Sequence, residues 1–153
     1  ALTAYYTPSG AQKTQMHEWL QKFVPQDMKE GLDYLFVSYY EDDNEGFAPD
    51  WSEIFTDLQS AFPASKLGIG ECGNTASDAT QASRQAMMGR YYTMPRYVQN
   101  YVGGYFWWYF VQDCVKGAEA GASNGKNRGA RNKAKAADEL IKSLSEAIGE
   151  AYR

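Results

Sequence analysis

The chain has 153 residues, a formal net charge of −4, and 44% hydrophobic against 22% charged residues. That is enough apolar material for one globular domain with its own core, and too much for a disordered segment. The acidic balance speaks against nucleic acid as a partner, and no apolar run is long enough to cross a membrane.

Aromatic content is high: 12 Tyr, 7 Phe and 4 Trp. Either these rings build a large core, or part of them form a surface that stacks on flat ligands such as sugar rings. Composition does not choose between the two. The opening Ala1-Leu2-Thr3 has neither Met nor a basic leader region, which reads as a mature, processed or fragmentary chain. One histidine, His17, and no ligand spacing lead us to expect no metal, and no cofactor motif is present.

Along the chain, Leu2 to Tyr6 reads as a short strand. Ala11 to Val24 is a helix with Met16, Trp19, Leu20 and Phe23 on one face, ended by Pro25. Leu32 to Tyr40 is a nearly unbroken apolar and aromatic run, hence a buried strand. The acidic loop Glu41 to Gly46 follows and reads as solvated; calcium or sugar hydroxyls are the sharper alternatives. Asp50 caps the next helix, with Glu53 three residues on as in a capping box and Trp51, Ile54, Phe55, Leu58 and Phe62 as the apolar face.

Pro63 stops that helix, and Lys66 to Glu71 is a second buried strand that ends on a carboxylate. Ser77 or Asp78 caps a helix to about Tyr92, which Met94-Pro95 breaks. Val102 to Val111 reads as a third strand opened by Gly103-Gly104. Residues Gly117 to Gly129 form a flexible loop, followed by a helix over Ala130 to Tyr152 striped by Leu140, Ile141, Leu144 and Ile148. The basic cluster Lys126 to Lys135 falls on that loop and helix start.

Alternating strands and helices with fully apolar strands predict a parallel sheet covered by helices. Gly68-x-Gly70-x-x-Gly73 fits a dinucleotide-binding pattern, but Gly68 and Gly70 lie inside the strand and Glu71 would face the phosphates, so that reading is rejected. A (β/α)8 barrel takes about 250 residues, so this chain holds only part of one. Carboxylates at the carboxyl ends of barrel strands are where such enzymes keep their chemistry.

The succession Leu32-Asp33-Tyr34-Leu35-Phe36-Val37-Ser38-Tyr39-Tyr40, Leu67-Gly68-Ile69-Gly70-Glu71-Cys72-Gly73 and Gly103-Gly104-Tyr105-Phe106-Trp107-Trp108-Tyr109 resembles strands six, seven and eight of the clan A glycoside hydrolases, retaining (β/α)8-barrel enzymes. The resemblance covers Leu32 to Asp113. It implies a single domain over 1–153, the C-terminal three to four strand–helix units of a TIM barrel, and a poly- or oligosaccharide substrate. Glu71 then matches the nucleophile and Tyr40 the tyrosine that hydrogen-bonds it, or Tyr39 if the register slips by one. Strand alternation puts Glu71 on the face of Leu67 and Ile69, and Tyr40 on that of Ser38. Trp108 or Trp107 matches the sugar-stacking residue, and Glu41 leaves the strand end as a substrate-binding candidate.

The clan takes its acid/base residue from an Asn-Glu pair ending strand four. Asn44-Glu45 has that sequence but lies one unit before Glu71 instead of three, so it is read as coincidence. The chain therefore resembles the nucleophile half of an active site and implies either a missing N-terminal half or a homodimer. Cys72 and Cys114 lie past the ends of adjacent strands on this reading, where a disulfide and two free thiols are both open; a disulfide implies an extracellular or periplasmic setting. The rival class is a non-catalytic carbohydrate-binding or interaction module using the same aromatics on a truncated scaffold.

Overall fold

A computed structural model describes residues 1–8, 15–103, 106–111, 113, 139, 142, 145 and 146. The chain is α/β. Its elements are β1 (Leu2–Tyr5), α1 (Met16–Phe23), α2 (Gln26–Gly31), β2 (Tyr34–Ser38), a 3-10 turn (Asp42–Asn44), α3 (Trp51–Ala61), β3 (Lys66–Glu71), α4 (Gln81–Tyr92) and β4 (Tyr101–Gly103). All four strands pair in parallel in the order β1-β2-β3-β4. The chain divides into two compact units, 1–72 with 95–106, and 73–94 with 107–153. Among the described residues no helix is long and apolar enough to cross a membrane.

The first unit holds the sheet and α1 to α3. One face of the sheet carries Ala4, Leu35, Val37, Leu67, Ile69 and Tyr101, all buried. Each Leu, Val or Ile side chain among them contributes about 1.5–3 kcal/mol by leaving water. Helix α3 packs on this face through Phe55, whose ring meets Tyr101 at 4.8 Å. Asp50 caps it as expected, accepting a 3.0 Å bond from the Glu53 backbone N–H, but the Glu53 side chain makes no return bond, so the expected capping box is only half formed. Much of the aromatic excess is core. Tyr6, Tyr39, Trp51, Phe55, Tyr97 and Tyr101 form a chain of ring contacts 4.8–6.2 Å apart. The other face presents Tyr5, Tyr34 and Val102 at 37%, 38% and 43% exposure.

Glycines let the sheet close up under Glu71. A Cβ on Gly68 would lie 1.7 Å from the Gly103 carbonyl oxygen, and one on Gly70 would lie 2.6 Å from Phe36 Cβ. These residues are small because a neighbouring strand and a ring occupy their space, not because a phosphate approaches them.

Several boundaries differ from the sequence expectation. The ladder of β2 spans Tyr34–Ser38, shorter at both ends than Leu32 to Tyr40. Pro25 ends α1 but also begins α2, its fixed φ of −69° suiting a helix start and its carbonyl accepting from Lys29 N–H. Thr80, not Ser77 or Asp78, caps α4, because Thr80 and Ser83 satisfy each other's backbone N–H groups in a complete capping box. The third strand expected over Val102 to Val111 is only Tyr101–Gly103. Gly103 turns the chain at φ +84°, a left-handed conformation that ends a strand; Trp108 and Tyr109 are in a turn, and Phe110 and Val111 are helical. The loop over Gly117 to Gly129 and the basic cluster lie outside the described residues. So does most of the final helix, of which Glu139, Lys142, Ser145 and Glu146 are helical.

Candidate active site

Glu71 stands at the carboxyl end of β3, and its orientation comes from a break in strand pairing. Val37 pairs with Ile69, but the next residue, Ser38, pairs with Glu71. Gly70 is therefore an extra residue, a β-bulge. Simple alternation put Glu71 with Leu67 and Ile69; the bulge instead sets it opposite Ser38. The Glu71 carbonyl still accepts a 3.0 Å bond from Tyr39 N–H, so the strand end stays tied to β2.

Glu71 Oε2 accepts two hydroxyl bonds from the end of β2. Ser38 Oγ donates at 2.7 Å and Tyr40 OH at 3.4 Å. Among the described residues, Oε1 accepts no bond. Ser38 is 4% and Tyr40 7% exposed, whereas Glu71 is half-buried. Burial pushes the Tyr40 phenol well above the usual range, and the negative charge of Glu71 adds to that rise. Tyr40 thus keeps its proton and acts as donor, not as acid. Its ring stacks on Tyr5, centroids 6.3 Å apart and 18° from parallel. Asn44 closes the adjoining loop by donating from Nδ2 to the Tyr40 carbonyl at 2.7 Å.

Tyr39 does not reach this group. It is fully buried, its OH donates to the Phe47 carbonyl at 2.5 Å, and its ring lies between Tyr6 and Trp51. The expectation that it could touch substrate is corrected: successive residues past the strand end point apart, and Tyr39 takes the core side. Burial, with Glu41 next, raises its phenol above the usual range. Glu41, half-buried at the start of the loop, also adds to the rise that burial imposes on the Cys72 thiol. Cys72 is a free thiol with no exposure, its N–H bonded to the Phe106 carbonyl at 3.0 Å; Cys114 lies outside the described residues. A thiol held protonated in this way is a packing residue and not a nucleophile.

Trp107 and Trp108 belong to the second unit. Trp107 is buried and its indole N–H donates to Asp113 Oδ2 at 2.8 Å. Trp108 is 53% exposed. Among the described residues no cluster of His, Cys, Asp and Glu could hold a metal ion.

Ser38 is the site residue that sequence reasoning missed. The signal was present: it is the one small hydroxyl residue in a bulky apolar strand, two positions before Tyr40 and thus on its face. No family model matches the chain, and neither curated proteins nor solved structures yield a match to it.

Proposed function

We propose that this chain carries the nucleophile half of a retaining glycoside hydrolase site on a (β/α)8-type sheet. The observation behind this reading is the Glu71 carboxylate at a strand's carboxyl end, gripped on Oε2 by Ser38 and Tyr40 with Oε1 left open. Two hydroxyl donors fix its direction, as a nucleophile requires. The barrel reading is supported by strand order. A doubly wound sheet reverses its order at a switch point, whereas these four parallel strands follow one another in sequence, as barrel strands do.

In the proposed reaction Glu71 Oε1 attacks the anomeric carbon and the bond from that carbon to the leaving oxygen breaks. The leaving oxygen takes a proton from a second carboxyl about 5–5.5 Å from the first. Water then attacks the same carbon, giving its proton to that second group, and Glu71 leaves as carboxylate. The resemblance assigns that second carboxyl to an earlier strand of the barrel.

The test is covalent trapping. The protein is incubated with 2-deoxy-2-fluoro glycosyl fluorides of the common hexoses and pentoses, whose fluorine slows the second step, and the adduct is mapped by mass spectrometry. An ester on Glu71, absent in Glu71→Gln, is expected. An adduct on another residue, or hydrolysis that survives Glu71→Gln, overturns the assignment. Saccharide binding with neither adduct nor turnover points to a non-catalytic binding module.

A further inference from the structure

We infer that the cavity lined by Asn74, Thr75, Arg84, Tyr109 and Asp113 is a saccharide subsite. It lies wholly within the second unit. Its volume, 240 Å³, is below the ~300–1,000 Å³ of sites for drug-sized ligands and suits a single ring.

A fixed polar network forms one wall. The Asp113 side chain is 9% exposed and 3.3 Å from Arg84 Nε, and its other oxygen takes the Trp107 indole N–H. Arg84 Nε is buried without an aligned hydrogen bond, so charge and not a directed bond holds that pair. The rest of the guanidinium is uncommitted: among the described residues its two Nη groups have no protein partner, and the Arg84 side chain is 27% exposed. Among the described residues the Tyr109 hydroxyl has no partner either, and its residue is 40% exposed. Beside it stands the exposed Trp108 ring, at 6.4 Å and nearly perpendicular.

This set of groups selects a ligand class. An anion would meet the Asp113 carboxylate, and a cation would meet the Arg84 guanidinium. The pair is neutral overall and offers fork-shaped donors beside an acceptor, which matches adjacent hydroxyl groups that both give and take hydrogen bonds. The Tyr109 and Trp108 rings supply an apolar face for the C–H side of a pyranose. The inference rests on the saccharide class proposed above, but not on covalent chemistry at Glu71.

The test follows the Trp107 indole N–H, which reports on Asp113, by NMR in Glu71→Gln protein, where turnover is removed. Cello-, xylo-, manno- and laminari-tetraose are titrated in turn, with inorganic phosphate and calcium chloride as ionic controls. At least one neutral sugar is expected to shift the indole resonance, with neither ion doing so. Tyr109→Phe, which removes one hydroxyl and leaves the ring and the Asp113 network in place, is expected to weaken binding about threefold to tenfold. Arg84→Gln is expected to weaken it tenfold or more. No shift with any sugar, a shift with phosphate alone, or unchanged affinity in Tyr109→Phe would overturn the subsite. If Glu71 is trapped covalently while Tyr109→Phe and Arg84→Gln leave KM unchanged, the subsite fails alone. If those variants lose binding and no adduct forms, the nucleophile reading fails alone.

Discussion

The two hydroxyls on Glu71 are not equivalent, and their difference is measurable without a substrate. Ser38 Oγ sits at 2.7 Å from Oε2, within the range of a strong charge-assisted bond, whereas Tyr40 OH at 3.4 Å is at the limit of one. Hydrogen bonds to charged groups contribute about 1.5–3 kcal/mol, neutral or long ones about 0.5–1.5 kcal/mol. Glu71 is half-buried, so water screens part of the gain and the lower end of each range applies. A double-mutant cycle of Ser38→Ala with Glu71→Gln at pH 7 should therefore give a coupling near ~1.5 kcal/mol. The cycle of Tyr40→Phe with Glu71→Gln should give about 0.5 kcal/mol. Urea unfolding of the single and double variants measures both, the midpoint reporting stability provided the slope is unchanged. A Tyr40 coupling equal to or larger than that of Ser38 would refute the assignment of Ser38 as the principal donor.

Other outcomes follow from the same geometry. Gly68→Ala should cost at least ~3 kcal/mol, since its Cβ meets the Gly103 backbone and β3 must part from β4. Gly89→Ala, with open space inside α4, should instead stabilise by ~0.5–1 kcal/mol; thermal melts of the two compare them directly. Stability should also decline in alkali. Tyr39, Tyr40 and Cys72 are raised above their ordinary values of 10.0, 10.0 and 9.0, so the native state keeps protons that the unfolded chain releases. Their contribution is complete below about pH 9 and is lost as pH rises beyond it, at up to ~1.4 kcal/mol per pH unit for each group. A urea midpoint that stays level from pH 8 to 11 would contradict the burial of these groups.

The elements that local chemistry dictates were legible in the sequence. Lys66–Glu71 has the bounds expected, because an apolar run between Pro63 and Gly73-Asn74 has few other ways to fold. Asp50 was readable as a cap for the same reason. What was not legible depends on partners distant in sequence. The run Val102 to Val111 has strand composition throughout, yet the strand is only Tyr101–Gly103, and Gly103 turns left-handed. Apolar content alone does not reveal that the ladder has ended. Likewise Ser77 and Asp78 are good capping types, and Thr80 prevails because its reciprocal partner Ser83 lies at the right spacing. The choice between Tyr39 and Tyr40 needed the structure too, since a shift of one residue exchanges their faces.

The bulge at Gly70 ties the fold to the position of the Glu71 carboxylate. With regular pairing, Glu71 would follow Leu67 and Ile69 onto the helix-covered face, where those two residues have no exposure at all. A carboxylate placed there would be stripped of its water. The extra residue moves Glu71 opposite Ser38 and within reach of Tyr40. Only a residue without a side chain can be that extra one, because a Cβ there would strike Phe36. The sequence Gly70-Glu71 is thus one structural unit. The glycine's absent side chain permits the pairing to slip by one, and the slip turns a buried position into a half-exposed carboxylate held by two hydroxyls. Gly70→Ala should consequently disturb Glu71 more than it disturbs the rest of β3, since the ladder from Tyr34↔Lys66 to Val37↔Ile69 lies before the bulge.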